Sequence, residues 1–340
     1  METRGIKYWL LCLILTISSC SVSEREEIVA TRQIYVLLLP HEIGDMGYGD
    51  CVLRGFQTIR RDTENMGVDM HIYRPNSIEE GEAIFSKWAT TDNHGKPSLF
   101  VVTADDYEAM LVEYFSLNDL LPEGKEILLF ESHNLLNIPI CNFTISTYGA
   151  SYLAGVTAAK CASEPPLIVW GNSSDLSTIG AIEGFMDGYH SQDSHNAITS
   201  YSMAEDWTGY IMADEAYKMM TEWSKEYGFI YPIAGGTSNG IYRYLREYPN
   251  GPYTAGYDID ASHLSSQVVG STVKHIDKLI VDYIKQWLDS DTMPRKCVYG
   301  LDSEYVEWLL APDYKSMYQD IVDSQYEIAI QKEMEYEEDN

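Results

Sequence analysis

The chain has 340 residues, which is enough for two lobes that each bury a core of their own. It carries 23 lysines and arginines against 52 acidic residues, for a formal charge of −29. This charge repels phosphate backbones and anionic membrane surfaces, so it argues against nucleic acid as a partner. The same charge also helps to keep a protein soluble.

The amino-terminal segment is typical of an export signal. A basic start precedes the apolar run Tyr8–Ile17, which is too short to span a bilayer. Ser18-Ser19-Cys20 follows, and with Ile17 it resembles the lipobox of bacterial lipoproteins, in which Cys20 would become the acylated amino terminus. We therefore expect a signal peptide over residues 1–19 and a lipidated tether over 20–32. The alternative is an ordinary secretory signal in which Cys20 is incidental.

Four cysteines remain in the body of the chain: Cys51, Cys141, Cys161 and Cys297. None belongs to a C-x-x-C pair, and the eight histidines show no H-E-x-x-H or clustered spacing, so we expect no metal site. Phosphate-loop and dinucleotide-binding motifs are absent from the sequence as well, so no cofactor is expected. Sequence spacing leaves open whether the four cysteines form two disulfides or stay free thiols.

The first half of the chain alternates apolar strands with amphipathic helices. Ile34–Leu39 is an almost continuous apolar run, which is typical of a strand buried on both faces of a parallel sheet. Three more strands are predicted at Val68–Tyr73, Leu99–Thr103 and Ile127–Phe130. This alternation predicts a doubly wound lobe.

A second series of the same kind begins at Pro139. Its first elements are predicted as a strand at Ile140–Ile145, a helix at Tyr148–Ala162, and strands at Leu167–Trp170 and Ile198–Met203. We expect lobe 1 to comprise residues 33–138 plus about 262–296, and lobe 2 to comprise 139–261 plus about 297–333. The acidic residues 334–340 follow as a tail, and the end of the chain from Glu333 to Asn340 is expected to be frayed.

The stretch from Phe229 to Lys274 carries the polar groups that suggest a site. A predicted strand at its start ends in the glycine-rich turn around Gly235. A second predicted strand begins at Tyr253 and carries Asp258 and Asp260 at its carboxyl end. Ser271–Leu288 is predicted as one long amphipathic helix with Lys274 in its first turn. Small ligands bind at the carboxyl ends of the strands in open α/β sheets, so we expect a ligand site here.

Six motifs resemble the basic membrane protein family, a group of substrate-binding lipoproteins that serve ABC importers of purine nucleosides. The specific ones are Ala234-Gly235-Gly236-Thr237-Ser238-Asn239-Gly240-Ile241, Gly256-Tyr257-Asp258-Ile259-Asp260 and Gly270-Ser271-Thr272-Val273-Lys274-His275-Ile276-Asp277. The weaker ones are Asp45-Met46-Gly47-Tyr48, Ser151-Tyr152-Leu153-Ala154-Gly155 and Gly184-Phe185-Met186-Asp187-Gly188. They occur in the family's order between about Ile34 and Trp287.

The resemblance implies an α/β type I periplasmic-binding fold, with two Rossmann-like lobes joined by a multi-strand hinge. It also implies a binding protein rather than an enzyme, held outside the cytoplasm by lipid on Cys20. Such a protein captures a small polar ligand, here a nucleoside, between closing lobes and passes it to an ABC permease in the membrane.

Carried over by position, the family's ligand contacts correspond to Asp45, Tyr48, Gly235, Asp258 and Lys274. Asp258 would accept hydrogen bonds from ribose hydroxyls, and Tyr48 would stack on the base. The family has Phe-Asn where Tyr48-Gly49 stand, and its second stacking Phe falls near Met203, which is not aromatic. Trp207 is the aromatic candidate for that role.

Each candidate also has a structural explanation. Asp258 would serve as a cap at a strand exit, Lys274 as a surface charge, and Gly235 as a tight-turn residue. Two other functions stay open: a sensor that reports the ligand to a membrane signalling partner, and a hydrolase that uses Asp45 and Asp258.

Overall fold

The structure, a computed structural model, describes residues 31–40, 43–64, 66–132, 138–192 and 196–339. The predicted signal peptide, Cys20 and nearly all of the predicted tether lie outside the described residues. The described chain forms two sheets of six strands each with helices on both faces, which confirms the α/β fold of the type I periplasmic-binding class. None of its described helices combines the length and apolar character needed to cross a bilayer.

The first sheet is entirely parallel and follows the order β11-β5-β4-β3-β1-β2. Its strands are β1 (Arg32–Leu37), β2 (Val68–Tyr73), β3 (Ser98–Val102), β4 (Lys125–Phe130), β5 (Cys141–Ile145) and β11 (Cys297–Tyr299). Its helices are α1 (Tyr48–Asp62) and α8 (Ile276–Ser290) on one face, with α2 (Ile78–Thr90) and α3 (Glu108–Leu117) on the other. Every residue of β3 is buried, as expected for a central strand covered on both faces.

The second sheet follows the order β12-β10-β9-β8-β6-β7, and only β12 runs antiparallel to its neighbour. Its strands are β6 (Pro166–Asn172), β7 (Thr199–Ala204), β8 (Phe229–Ile233), β9 (Tyr253–Asp258), β10 (Val268–Lys274) and β12 (Val306–Leu310). Its helices are α4 (Tyr148–Cys161), α5 (Ile179–His190) and α9 (Lys315–Asp339) on one face, with α6 (Ala213–Glu226) and α7 (Ser238–Glu247) on the other.

The predicted helix over Ser271–Leu288 is wrong in its first turn. Val268–Lys274 is strand β10, buried along its whole length, and the helix begins only at Ile276. The β-branched residues of this stretch favour a strand between two others. Lys274 therefore stands at the end of a strand.

Sheet membership differs from the lobe boundaries expected from the sequence at three strands. β5 and β11 complete the first sheet, whereas β10 belongs to the second. Within the described ranges, the chain consequently passes between the lobes three times: from β5 to α4, from β10 to α8 and from β11 to β12.

The acidic tail is not frayed as expected over residues 334–339, because helix α9 continues to Asp339. Glu333, the first residue of the end that was expected to be frayed, is buried against two connections between the lobes, so the expectation is wrong there as well.

All four cysteines of the described body are free thiols, so no disulfide forms among them. Within the same described ranges, no group of three or more His, Cys, Asp or Glu residues is arranged to hold a metal ion.

Candidate functional site

A cavity of about 120 Å³ lies where the carboxyl ends of the two sheets face each other. Residues of both lobes line it. All six residues predicted to bind ligand are among them: Asp45, Tyr48, Trp207, Gly235, Asp258 and Lys274. The structure therefore brings the predicted residues to one cavity, while their contact with a ligand stays a prediction.

Lys274 lies at the floor of this cavity and connects the two lobes. Its Nζ donates to Glu131 Oε1 at 3.1 Å, at the exit of β4 in lobe 1, and lies 3.8 Å from Asp258 Oδ1 in lobe 2. All three side chains are less than 10% exposed. Burial acts to lower the pKa of Lys274, but Glu131, Tyr257 and Asp258 outweigh it and raise that pKa above its ordinary value. Lys274 is therefore a buried cation, which rules out the surface-charge explanation.

Glu131 was not predicted from the sequence, although it completes this buried charge group. Its second carboxylate oxygen accepts a hydrogen bond from the Ile145 amide at 3.1 Å, beside the first connection between the lobes. Both Glu131 and Asp258 have left-handed backbones, with φ of 56° and 70°. Such conformations are costly for residues other than glycine and concentrate at functional sites.

Asp258 is a buried carboxylate that lines the cavity. Burial raises its pKa to about 7, although Lys274 acts in the opposite direction. Among the described residues, no donor lies within hydrogen-bond distance of this carboxylate, and Lys274 is the nearest cation. A buried carboxylate of this kind is stabilised when ligand hydroxyls donate to it.

Asp45 has a clear structural role, because its carboxylate organises its own loop. It accepts hydrogen bonds from the amides of Gly47, Gly49 and Asp50 at 2.8, 2.9 and 3.2 Å, at the start of helix α1. These bonds satisfy donors that the first turn of a helix leaves free. Burial raises the pKa of Asp45, and these amides oppose the change.

Aromatic rings enter the cavity from both lobes. Tyr48 lies on the lobe 1 side, where its hydroxyl donates to the Thr103 carbonyl at 3.2 Å and its ring centroid lies 5.5 Å from Lys274 Nζ. Trp207 and Tyr210 line the lobe 2 side, whereas Met203 packs into the core of lobe 2. Trp207 therefore lines the cavity, and its role as the second stacking ring stays a prediction.

The turn that carries Trp207 and Tyr210 is fastened to the glycine loop. The Thr237 hydroxyl donates to the Gly209 carbonyl at 2.7 Å and accepts from the Met212 amide at 2.6 Å. Tyr210 in turn donates to Asp175. These bonds fix the aromatic wall of lobe 2 without a ligand.

Three further carboxylates line the cavity but were not predicted from the sequence as site residues: Asp105, Asp106 and Asp175. Burial, together with Asp175 and Asp106, raises the pKa of Asp105. The pair of acids directly after the buried strand β3 could have indicated a site in the sequence. No comparable pattern surrounds Asp175. With Lys274 the only cation among the described lining residues, this wall disfavours an anionic ligand.

Asn239 links the lobes across the mouth of the cleft. Its side-chain amide donates to the main-chain carbonyl of Asp45 at 2.7 Å. A Cβ atom on Gly236 would lie 3.0 Å from the Tyr210 carbonyl and 3.5 Å from Asp45 Cα. Glycine is therefore needed here because two loops approach each other, in addition to any role in binding ligand.

Comparison with known families gives one match that covers most of the chain. The family model described as "ABC transporter substrate-binding protein PnrA-like" matches residues 132–338. That segment contains Trp207, Gly235, Asp258 and Lys274, whereas Asp45 and Tyr48 lie before it. A search of curated proteins found no match.

Solved structures with a similar fold include binding proteins and regulators. A solute-binding protein of an ABC transporter system from Aeropyrum pernix K1 is 14% identical, covers 89% of this chain and 86% of its own, and has a TM-score of 0.68. A transcriptional activator of the comK gene from Bacillus halodurans is 18% identical over 87% and 98%, with a TM-score of 0.65. A periplasmic component of an ABC-type sugar transport system from Hahella chejuensis is 15% identical over 82% and 99%, with a TM-score of 0.60. At these identities the likeness shows the fold alone.

Proposed function

The chain belongs to the PnrA-like family of ABC transporter substrate-binding proteins, and from this premise we propose that its cleft captures a nucleoside. Members of this family bind rather than transform their ligands, act outside the cytoplasm and deliver a small molecule to a membrane permease. What the family does not decide for this chain is the ligand, the residues that contact it and the mode of attachment to the membrane.

The observation that carries the nucleoside proposal is the combination of groups around the cavity. Tyr48 and Trp207 provide aromatic faces from opposite lobes, and base stacking on such faces contributes about 1–3 kcal/mol per base in nucleic-acid complexes. Asp258 provides a buried carboxylate for a pair of ribose hydroxyls. Lys274, held by Glu131 and Asp258, would donate to the sugar or keep Asp258 ionised.

The charge of the cavity supports a nucleoside over a nucleotide. Its single described lysine already faces two carboxylates, and the acids of lobes 1 and 2 surround the remaining space. A phosphate group placed there would meet like charges at a cost of several kcal/mol.

Isothermal titration with inosine, adenosine and guanosine tests this proposal. We expect at least one of them to bind, and its 5′-monophosphate to bind about 100-fold more weakly or not at all. Ribose and hypoxanthine alone serve as controls, because each fills only one half of the proposed site. Absence of heat from every nucleoside would remove the ligand assignment, and tighter binding of the monophosphate would remove the charge argument.

We further propose that lipid on Cys20 anchors the protein to the membrane. The support is the apolar run that ends in Ile17-Ser18-Ser19-Cys20, which precedes the described residues. The protein expressed with its signal should enter the detergent phase of a Triton X-114 separation, and the Cys20→Ala variant should not be acylated. Recovery of the unaltered protein in the aqueous phase would favour the ordinary secretory signal.

A further inference from the structure

Two of the three connections between the lobes contact one side chain of the carboxyl-terminal helix. Glu333 lies near the end of α9 and is 4% exposed. Its Oε1 accepts from the Gly149 amide at 2.9 Å, just beyond the first connection, and its Oε2 accepts from the Leu301 amide at 2.5 Å, in the third connection. No lysine, arginine or histidine among the described residues forms an ion pair with it, so backbone amides hold this buried carboxylate.

Helix α9 binds both the amide and the carbonyl of Leu301, in the third connection. While the Leu301 amide donates to Glu333, the Leu301 carbonyl accepts from the Tyr326 hydroxyl at 3.0 Å. A Cβ atom on Gly300 would lie 2.2 Å from Glu333 Oε2, so the main chain passes against the carboxylate with no room for a side chain. Leu301 is therefore part of lobe 2 in its contacts, although it follows a strand of lobe 1.

The lobe 1 ends of the same two connections are also joined to each other. The Ser146 amide donates to the Tyr299 carbonyl at 2.9 Å, at the edge of the first sheet. The first connection is thus held at Ser146 by lobe 1 and at Gly149 by lobe 2, and the third is held at Tyr299 and Leu301. Thr147 and Tyr148 also bond within lobe 2, because the Thr147 hydroxyl lies 2.9 Å from the Tyr257 hydroxyl and the Tyr148 hydroxyl donates to Asp187 at 2.6 Å. In these two connections a rotation of the lobes therefore falls on the backbone between Ser146 and Thr147 and on Gly300.

We propose that Glu333 is a lobe 2 anchor of the hinge, and that it confines bending of the first and third connections to the backbone between Ser146 and Thr147 and to Gly300. It positions the two connections together, so that the lobes turn as rigid bodies and the cavity groups return to one arrangement on closing. The inference rests on opening of the cleft and does not depend on which ligand the cleft takes.

Hydrogen–deuterium exchange of the full chain at pH 8 without added ligand tests the proposal. In Glu333→Ala, peptides that contain Gly149 and Leu301 should exchange about tenfold faster or more, because a hydrogen bond to a charged group is lost at each amide. Glu333→Gln, which keeps one acceptor oxygen, should show a smaller increase and keeps the test possible if the alanine variant does not fold. Peptides that cover β3, remote from the hinge, report global unfolding.

Glu338→Gln is the matched control, because Glu338 is an exposed glutamate of the same helix. It should leave exchange at both segments unchanged. Small-angle scattering of Glu333→Ala should also show a broader range of dimensions than the unaltered protein. Unchanged exchange at Gly149 and Leu301, or an equal increase in β3, would overturn the proposal. Failure of every nucleoside to bind would leave it intact, since no ligand enters this experiment.

Discussion

Replacing Lys274 by methionine is expected to lower the free energy of unfolding by about 3–5 kcal/mol at pH 8. The change keeps most of the side-chain volume but leaves Glu131 and Asp258 without their cation, and their side chains are only 7% and 9% exposed. A buried charge that loses its partner costs more than the pair itself contributes. Chemical denaturation followed by circular dichroism measures the loss.

The matched control is Lys278→Met, which removes an exposed lysine paired with Glu304. An exposed ion pair contributes less than about 1 kcal/mol, so this variant should remain close to the unaltered protein. Adding Glu131→Gln to Lys274→Met should restore part of the loss by removing one of the unpaired charges. A loss below about 1 kcal/mol for Lys274→Met would show that the buried charge group does not stabilise the fold.

Nucleoside affinity is expected to fall about tenfold for each pH unit below pH 7. Burial raises the pKa of Asp258 to about 7, so the unliganded carboxylate takes up a proton as the pH falls through that value. Ribose hydroxyls that donate to Asp258 favour its ionised form, and the ligand must then displace this proton. Titrations with the best-binding nucleoside from pH 5 to pH 8 measure the slope.

Asp258→Asn separates this carboxylate from the other acids of the cavity. The variant should bind about 10- to 100-fold more weakly at pH 8, and its affinity should change little with pH. Asp260→Asn is the control, since Asp260 follows on the same strand exit but is exposed. A flat profile in the unaltered protein, or a slope that survives in Asp258→Asn, would contradict the assignment of Asp258 to the ribose.

The fold was predictable because its central strands are continuous apolar runs, as Ile34–Leu39 illustrates. The start of α8 was not predictable, because Val273 fits the helical spacing of Ile276 and Ile280 even though it lies in a strand. Burial on both faces removes the alternation that would have marked β10. The spacing of residues in a sequence also does not indicate which sheet a strand joins. For this reason β5 and β10 were expected in the wrong lobes.

The site residues that were predicted belong to recognisable sequence motifs, whereas the ones that were missed join the site only when the chain folds. Asp258 and Lys274 lie within 20 residues of each other in recognisable patterns. Glu131 is 143 positions from the lysine it pairs with, and nothing near it in the sequence indicates that contact. Likewise, the charge of residues 333–340 suggested a frayed end, whereas Glu333 accepts hydrogen bonds from buried amides that come close to it only in the folded chain.

The bond from Asn239 reaches the peptide oxygen of Asp45, and every amino acid supplies that oxygen. Replacing Asp45 by Asn or Ser, which also accept hydrogen bonds from loop amides, would therefore leave this contact between the lobes in place. If Asp45 contacts the ligand as predicted, substitutions at this position can change ligand preference between descendants of this gene while the contact between the lobes is inherited unchanged. Under that prediction, selectivity would depend on the side chain of residue 45, whereas the contact between the lobes depends only on its main chain.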